Sequence, residues 1–143
     1  MTDGGTRAGL GNVATVIHLE NISTAGCSLE GFPNLELVSA AGSRMPTDVR
    51  QAVDGAYMFA SIAVGRVTLG AHATASFEIA YGDNPFGEAE NEPYDVACPP
   101  SKWVRVFLPG SHEFGTANMR IGPCGGEVSV SPIYPGSDVI AFP

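Results

Sequence analysis

The side chains of the segment 13–21 fall into two sets that alternate with a period of two residues. This periodicity constrains the fold more than any other feature of the sequence. One face would carry Val13, Thr15, Ile17 and Leu19, and the other Ala14, Val16, His18 and Glu20. Successive side chains of an extended chain point to opposite faces, so a period of two is typical of a β-strand. The segment therefore predicts a half-buried strand.

Other short runs of β character follow along the chain. They are 27–29, 35–39, 66–69, 73–81, 102–108, 116–121 and 127–133. Eighteen glycines and eleven prolines separate them, which is typical of a chain with many turns. No helical pattern is long enough to connect parallel strands, so we expect an all-β antiparallel sandwich or barrel of about seven to nine strands.

The chain length and the segments between these runs predict one domain. Its 143 residues suffice for a single core over 1–143, with 1–12 as a flexible N-terminal remnant. Residues 44–55 are polar and contain Pro46, so they predict a loop with at most a short edge strand. Residues 82–100 are rich in prolines and carboxylates and predict a long surface loop.

The charge balance excludes two classes of partner. Fifteen acidic residues against seven basic ones give a formal net charge of −8. Such a surface repels phosphates and anionic lipid headgroups, so neither nucleic acid nor a membrane surface is expected as a partner. No apolar run approaches the roughly 20 residues of a membrane-spanning helix. The first residues lack the apolar centre of a signal peptide, so an exported form would have lost its targeting segment.

The three cysteines predict one disulfide. Cys98 lies four residues before the run that starts at Lys102. Cys124 lies three residues after the run that ends at Ile121. If these runs pair as a hairpin, both cysteines fall at one end of it, where the usual Cα separation of about 5.5 Å is attainable. Cys27 is then odd, with an upstream partner, a buried free thiol or an intermolecular bond as the alternatives.

An acidic loop is the first candidate for a ligand-contacting surface. It contains Asp83, Phe86, Glu88, Glu90, Glu92 and Tyr94. Calcium binds several converging carboxylates, but the spacing fits no EF-hand loop, so we favour a hydrated loop and assign no metal. Aromatic residues are enriched in binding hot spots. The alternative is that both rings fold back onto the rim of the sandwich.

The run 102–108 predicts a second candidate surface. Its core face would carry Val104, Val106 and Leu108. The charged Arg105 belongs outside, where Trp103 and Phe107 would flank it and could stack with it. Either the rings form a binding patch or a neighbouring loop covers them.

No catalytic or cofactor motif is recognisable in the chain. The three histidines are scattered, and the serines show no Gly-x-Ser-x-Gly elbow. No glycine-rich phosphate cradle leads from a strand into a helix. The cysteines and histidines show no close zinc-ligand spacing. We therefore expect no enzyme and no cofactor.

The most specific pattern in the chain is the series Asn21, Cys27 and Gly31-x-Pro33. It continues in the segment 67–75 and in Cys98, 104–106, Cys124-Gly-Gly and 128–132. Together, over about 9–134, these motifs resemble the family called domain of unknown function 4232. That resemblance implies an immunoglobulin-like sandwich in secreted proteins and lipoproteins, mostly actinobacterial, with no established activity and no catalytic residues to carry over. It also implies a further cysteine upstream of the first strand as the natural partner of Cys27.

These observations predict a non-enzymatic interaction or binding module of the bacterial cell envelope. It would be secreted or lipid-anchored through a segment absent here, with an envelope or extracellular protein, a glycan or a lipid as its partner. The alternative is a spacer domain of a larger envelope protein, and an enzyme without a recognisable motif is a distant third. A pocket with a few convergent polar groups would favour the binding module.

Overall fold

The computed structural model of the chain describes residues 2–9, 12–51, 64–82, 98–110 and 114–136. These residues form twelve strands and one three-residue 3-10 helix, Cys124–Gly126. The strands are β1 (Thr2–Gly9), β2 (Asn12–Glu20), β3 (Cys27–Glu30), β4 (Asn34–Val38), β5 (Arg44–Met45), β6 (Asp48–Gln51), β7 (Arg66–Leu69), β8 (Thr74–Gly82), β9 (Trp103–Phe107), β10 (Phe114–Asn118), β11 (Glu127–Val130) and β12 (Tyr134–Pro135). The all-β prediction is confirmed. The strand number exceeds the expected seven to nine partly because strands of two residues are too short for a periodic pattern.

Three sheets build the sandwich. The largest has the order β1-β2-β8-β11-β6, with β12 also paired to β8. A four-stranded sheet has the order β10-β9-β4-β5, and β3 pairs with β7 in a small third sheet. The described pairings are antiparallel except β6 with β11, which is parallel. The expectation of purely antiparallel sheets is wrong there, because the chain changes sheets between β5 and β6 instead of turning back in a hairpin.

One contiguous cluster of buried apolar side chains joins the three sheets and forms the core. Its members on three central strands are Val13, Ile17 and Leu19 of β2, Ala75, Phe77, Ile79 and Tyr81 of β8, and Val104 and Val106 of β9. The core faces predicted from the alternation in β2 and β9 are therefore confirmed.

The second face of β2 is buried over its first half. Ala14 is 0% exposed and Val16 is 1% exposed. On the neighbouring β8, the residues at 75–81 are all buried. The prediction of a half-buried strand is therefore wrong at Ala14 and Val16, whereas His18 is half-buried and Glu20 is exposed on the same face. Alternation locates the core face, but it does not show whether small neutral side chains on the other face will also be covered.

The N-terminal segment differs from the expected flexible remnant. Thr2–Gly9 forms the edge strand β1, which pairs antiparallel with β2 from Gly9 opposite Asn12 to Thr2 opposite His18. This pairing uses main-chain groups along the free edge of β2. It therefore does not need an apolar pattern, which the segment lacks.

The side chain of Asn21, directly after β2, forms hydrogen bonds to two separate turns. Its amide nitrogen donates to the carbonyl oxygens of Ala25, Leu69 and Gly70 at 2.8, 3.2 and 3.2 Å. Its side-chain oxygen accepts from the main-chain nitrogen and the hydroxyl of Ser23 at 3.1 and 2.8 Å. The first residue of the most specific motif in the chain is therefore a buried structural residue.

The predicted disulfide between Cys98 and Cys124 is present, with a Cα separation of 4.1 Å. β9 and β10 pair as the expected hairpin. Beyond their paired residues, the main-chain nitrogen of Ser101 donates to the carbonyl of Ile121 at 2.8 Å. The Ser101 hydroxyl accepts from the nitrogen of Ile121 at 2.9 Å. These bonds extend the hairpin to the point where the cysteines meet.

Candidate functional site

The structure describes only part of the predicted ligand-contacting surface. The acidic-loop residues Asp83, Phe86, Glu88, Glu90, Glu92 and Tyr94 lie outside the described residues. Trp103 and Arg105 are described, and both are half-buried on the outer face of the four-stranded sheet. Val104 lies between these two residues in β9 and Val106 follows them. Both valines are 0% exposed and face the core.

Four side chains of β9 and β10 lie together on that outer face. We call this set the aromatic–arginine face, and its members are Trp103, Arg105, Phe107 and Phe114. The rings of Phe107 and Phe114 have centroids 5.4 Å apart and planes inclined by 51°. The guanidinium carbon of Arg105 lies 5.4 Å from the centroid of Phe114, within the range of a cation–π interaction. Phe114 is nevertheless 53% exposed, so one side of this cluster is open to solvent.

Phe114 is the member of this face that the sequence did not predict. The sequence predicts a run of β character at 116–121, whereas β10 begins at Phe114. The antiparallel register places Phe114 opposite Phe107 and therefore diagonal to Arg105. Diagonal neighbours across a strand pair remain within reach of long and aromatic side chains. Arg105 thus stacks on a ring that the neighbouring strand supplies.

The charges around this face are mostly positive. Glu36 on β4 lies opposite Arg105 in the register, and its Oε2 is 3.6 Å from Nη1 of Arg44. The Arg44 side chain is 74% exposed, so this ion pair contributes little to stability. Arg120, two residues beyond β10, is also exposed. Among the described residues, three arginines and one carboxylate lie on or beside this surface, so their charge is opposite in sign to that of the chain as a whole, which is −8.

Two grooves lie beside the crossing from β5 to β6. The first, of about 600 Å³, reaches the aromatic–arginine face through Phe107, and its polar lining residues include Asn34, Glu36, Arg44 and Thr47. The second, of about 470 Å³, is lined mainly by Leu37, Met45, Pro46, Pro99, Pro100 and Pro123. Ligand sites are mostly apolar with a few converging polar groups. The first groove has the converging polar groups, and the second has the apolar lining.

A histidine and a serine meet on the outer face of the six-stranded sheet, but their hydrogen bonds do not form a nucleophile–base pair. Nδ1 of His18 is 2.8 Å from the hydroxyl oxygen of Ser76. That hydroxyl donates its proton to the carbonyl oxygen of Gly136 at 2.7 Å. The histidine nitrogen must therefore donate to the hydroxyl oxygen, because the only hydroxyl proton is already used. Ser76 is also 0% exposed, so a substrate has no access to it.

Cys27 is exposed and makes no disulfide, so the alternative of a buried thiol is wrong. Within the described ranges, no group of three or more His, Cys, Asp or Glu side chains is arranged to hold a metal ion. None of the helical structure in those ranges has the length and apolar character needed to cross a bilayer.

Comparison with known proteins identifies one family. No curated protein and no solved structure matches the chain. The family model described as domain of unknown function DUF4232 matches residues 2–134. This span runs from the start of β1 to the first residue of β12 and so covers all but the last residue of the described strands. The chain therefore belongs to the DUF4232 family, as the motifs around Asn21, Cys27 and Pro33 predict.

Proposed function

We propose that this chain is a non-enzymatic binding module of the bacterial cell envelope and that its ligand-contacting surface is the aromatic–arginine face. The observation that carries the proposal is Phe114, which is 53% exposed while it stacks against Arg105. Aromatic and arginine side chains are enriched at interfaces and dominate binding hot spots. The polar groove that reaches Phe107 extends the same surface.

The disulfide supports the proposed location. Cys98 and Cys124 are joined in the structure, and such bonds persist in oxidising compartments such as the cell exterior. An envelope or extracellular protein, a glycan or a lipid would then be the partner. The direction of the hydrogen bonds at His18 and Ser76 supports a role that needs no catalysis.

Site-specific photo-crosslinking in the native host tests this proposal. A benzophenone amino acid replaces Phe114 in one protein and Ile22 in a matched control, because Ile22 is also apolar and exposed, at 83%, but lies beyond β2. We expect adducts from position 114 and none from position 22. The mass of the adduct then shows whether the partner is a protein, a glycan or a lipid.

A second variant links these adducts to the proposed surface. In Arg105→Gln, the crosslinker at position 114 is retained while the guanidinium is removed, so the yield of adduct should fall. Equal yields with and without Arg105, or equal adducts from both positions, would contradict binding at this face. The lack of adducts from either position would instead favour the spacer domain.

A further inference from the structure

Among the described strands, β10 is an unpaired edge of the four-stranded sheet, and we propose that this open edge receives an extended acidic segment of a partner protein as a fifth strand. The inference rests on the proposed function, since it specifies the partner and the mode of binding of the same surface. Addition of a strand to a sheet edge is a recurrent mode of peptide recognition, in which the main chain supplies affinity and alternate side chains supply specificity.

The hydrogen-bond pattern of the hairpin shows which main-chain groups are available. The nitrogen of Met119, one residue beyond β10, donates to the carbonyl of Lys102 at 3.2 Å. In an antiparallel pair, residues alternate between those whose main-chain groups face the partner strand and those whose groups face away. The groups of Gly115 and Ala117 therefore face β9. Those of Phe114, Thr116 and Asn118 face the open edge, where β10 has no pairing partner among the described strands.

Two other edge strands, β5 and β6, are less suited to accept a strand. β5 is only two residues long and is followed by Pro46, which cannot donate to a ladder. β6 carries alternating charges, and Arg50 is paired with Asp48 at 3.3 Å and with Glu127 at 3.4 Å. Short length, proline and charge are the usual protections of edge strands.

β10 has none of these protections. Its five residues, Phe-Gly-Thr-Ala-Asn, include no charge and no proline. β1, the edge strand of the six-stranded sheet, passes near β10 but does not pair with it. No strand in the described part of the chain pairs with the outward ladder positions of β10.

The positive charge beside this edge favours an acidic segment as the added strand. Arg105 reaches from β9 over the ring of Phe114 on β10, which places its guanidinium towards the open edge. Arg120 is exposed just beyond the end of the same strand. Carboxylates at alternate positions of an added strand would lie on the outer face beside both arginines. A second copy of the chain is disfavoured, because antiparallel pairing of two β10 strands would bring like charges together and each chain carries a net charge of −8.

A matched pair of substitutions isolates the open edge. Thr116→Pro removes the outward N–H and leaves the bonds to β9 intact, because proline is tolerated in edge strands where the N–H faces solvent. Thr116→Val retains the N–H and is a good strand former. The probe is a displayed library of random twelve-residue peptides, selected on the intact wild-type chain and then measured on purified variants. Circular dichroism and urea unfolding confirm that both variants are folded.

We expect the selected peptides to carry Asp or Glu at alternate positions and to bind Thr116→Val as tightly as the wild type. Thr116→Pro should bind the peptides about tenfold more weakly, because roughly one main-chain hydrogen bond is lost and the peptide strand cannot come as close to β10. Arg105→Gln should weaken the same peptides and reduce the dependence of binding on salt.

Three outcomes would overturn the inference. Peptides that bind Thr116→Pro as tightly as the wild type but lose affinity for Arg105→Gln would reject the edge and retain the proposed binding face. A library that yields no acidic peptide would reject the partner chemistry, and crosslinking at position 114 would still decide the proposed function. Sedimentation that shows a dimer of the wild type and a monomer of Thr116→Pro would assign the edge to a second copy of this chain.

Discussion

The guanidinium of Arg105 lies over the ring of Phe114, with the Cζ atom 5.4 Å from the ring centroid, although the two residues belong to different strands. The contact depends on the register of the β9–β10 hairpin, which places Phe114 opposite Phe107. A one-residue slip of that register would turn Phe114 towards the core. The hairpin and the disulfide beyond it therefore hold the aromatic–arginine face in place.

Replacement of Phe114 should have a small effect on stability. The ring is 53% exposed, so Phe114→Ala should lower the free energy of unfolding by no more than about 1 kcal/mol. Phe77 is 0% exposed, and Phe77→Ala should cost about 3–5 kcal/mol. Urea unfolding of both variants measures the difference. Similar losses would mean that Phe114 is a core residue and not a solvent-facing anchor.

Removal of the disulfide should destabilise the fold. Cys98 and Cys124 close a loop with a sequence separation of 26, so the double replacement by serine should cost about 3.5 kcal/mol in the chain-entropy account. Cys27→Ser is the control, and it should change stability by less than about 0.5 kcal/mol because its side chain is exposed. Thiol titration of the denatured, unreduced protein should find one free thiol. Three free thiols in protein prepared under oxidising conditions would refute the bridge.

Asn21→Ala should lower the free energy of unfolding more than most replacements of a polar residue. The change leaves the buried carbonyl of Leu69 without its amide donor and removes the acceptor of Ser23, so we expect a loss of about 2–3 kcal/mol. Ile22→Thr, at the exposed neighbouring position, should have an effect below about 0.5 kcal/mol. Thermal and urea unfolding give both values. Equal effects would show that the hydrogen bonds of Asn21 do not stabilise the turn.

Gly126→Ala should be more destabilising than an alanine at another glycine with positive φ. Gly126 has a φ of +77°, and an added Cβ would lie 2.9 Å from the carbonyl oxygen of Pro46. Gly42 has a φ of +85° with no atom within 4 Å of the added Cβ, so Gly42→Ala should cost about 1 kcal/mol from backbone strain alone. Gly126→Ala should cost at least about 1 kcal/mol more, because the strand crossing at Pro46 must shift. Indistinguishable unfolding curves would contradict this close approach.

The neutral imidazole of His18 should carry its proton on Nδ1. The Ser76 hydroxyl donates to Gly136, so its oxygen can only accept from the histidine. Long-range nitrogen–proton correlation spectra distinguish the two tautomers. In Ser76→Ala the preference for Nδ1 should be lost, and a wild-type ring protonated on Nε2 would show that the serine donates to the histidine instead.

Several features of this protein followed from the sequence. The core faces of β2 and β9 and the bridge between Cys98 and Cys124 were predictable, because alternation and hairpin pairing relate residues that are close along the chain. The positions of Trp103 and Arg105 on the outer face followed from the same alternation. Phe114 was missed because it is the first residue of a strand that alternates for only five residues.

The remaining features depended on contacts between segments that are distant in sequence. The side chain of Asn21 donates a hydrogen bond to Leu69, which is 48 residues away in sequence, and no local pattern predicts that partner. The parallel pairing of β6 with β11 and the burial of Ala14 and Val16 likewise require other parts of the chain to lie against these residues. The sequence by itself determined which side chains turn inwards, because local sterics and hydrophobicity set the strand period. Only the tertiary structure decided which strands become neighbours and which described edge stays unpaired, because pairing depends on main-chain groups that every residue except proline carries in full.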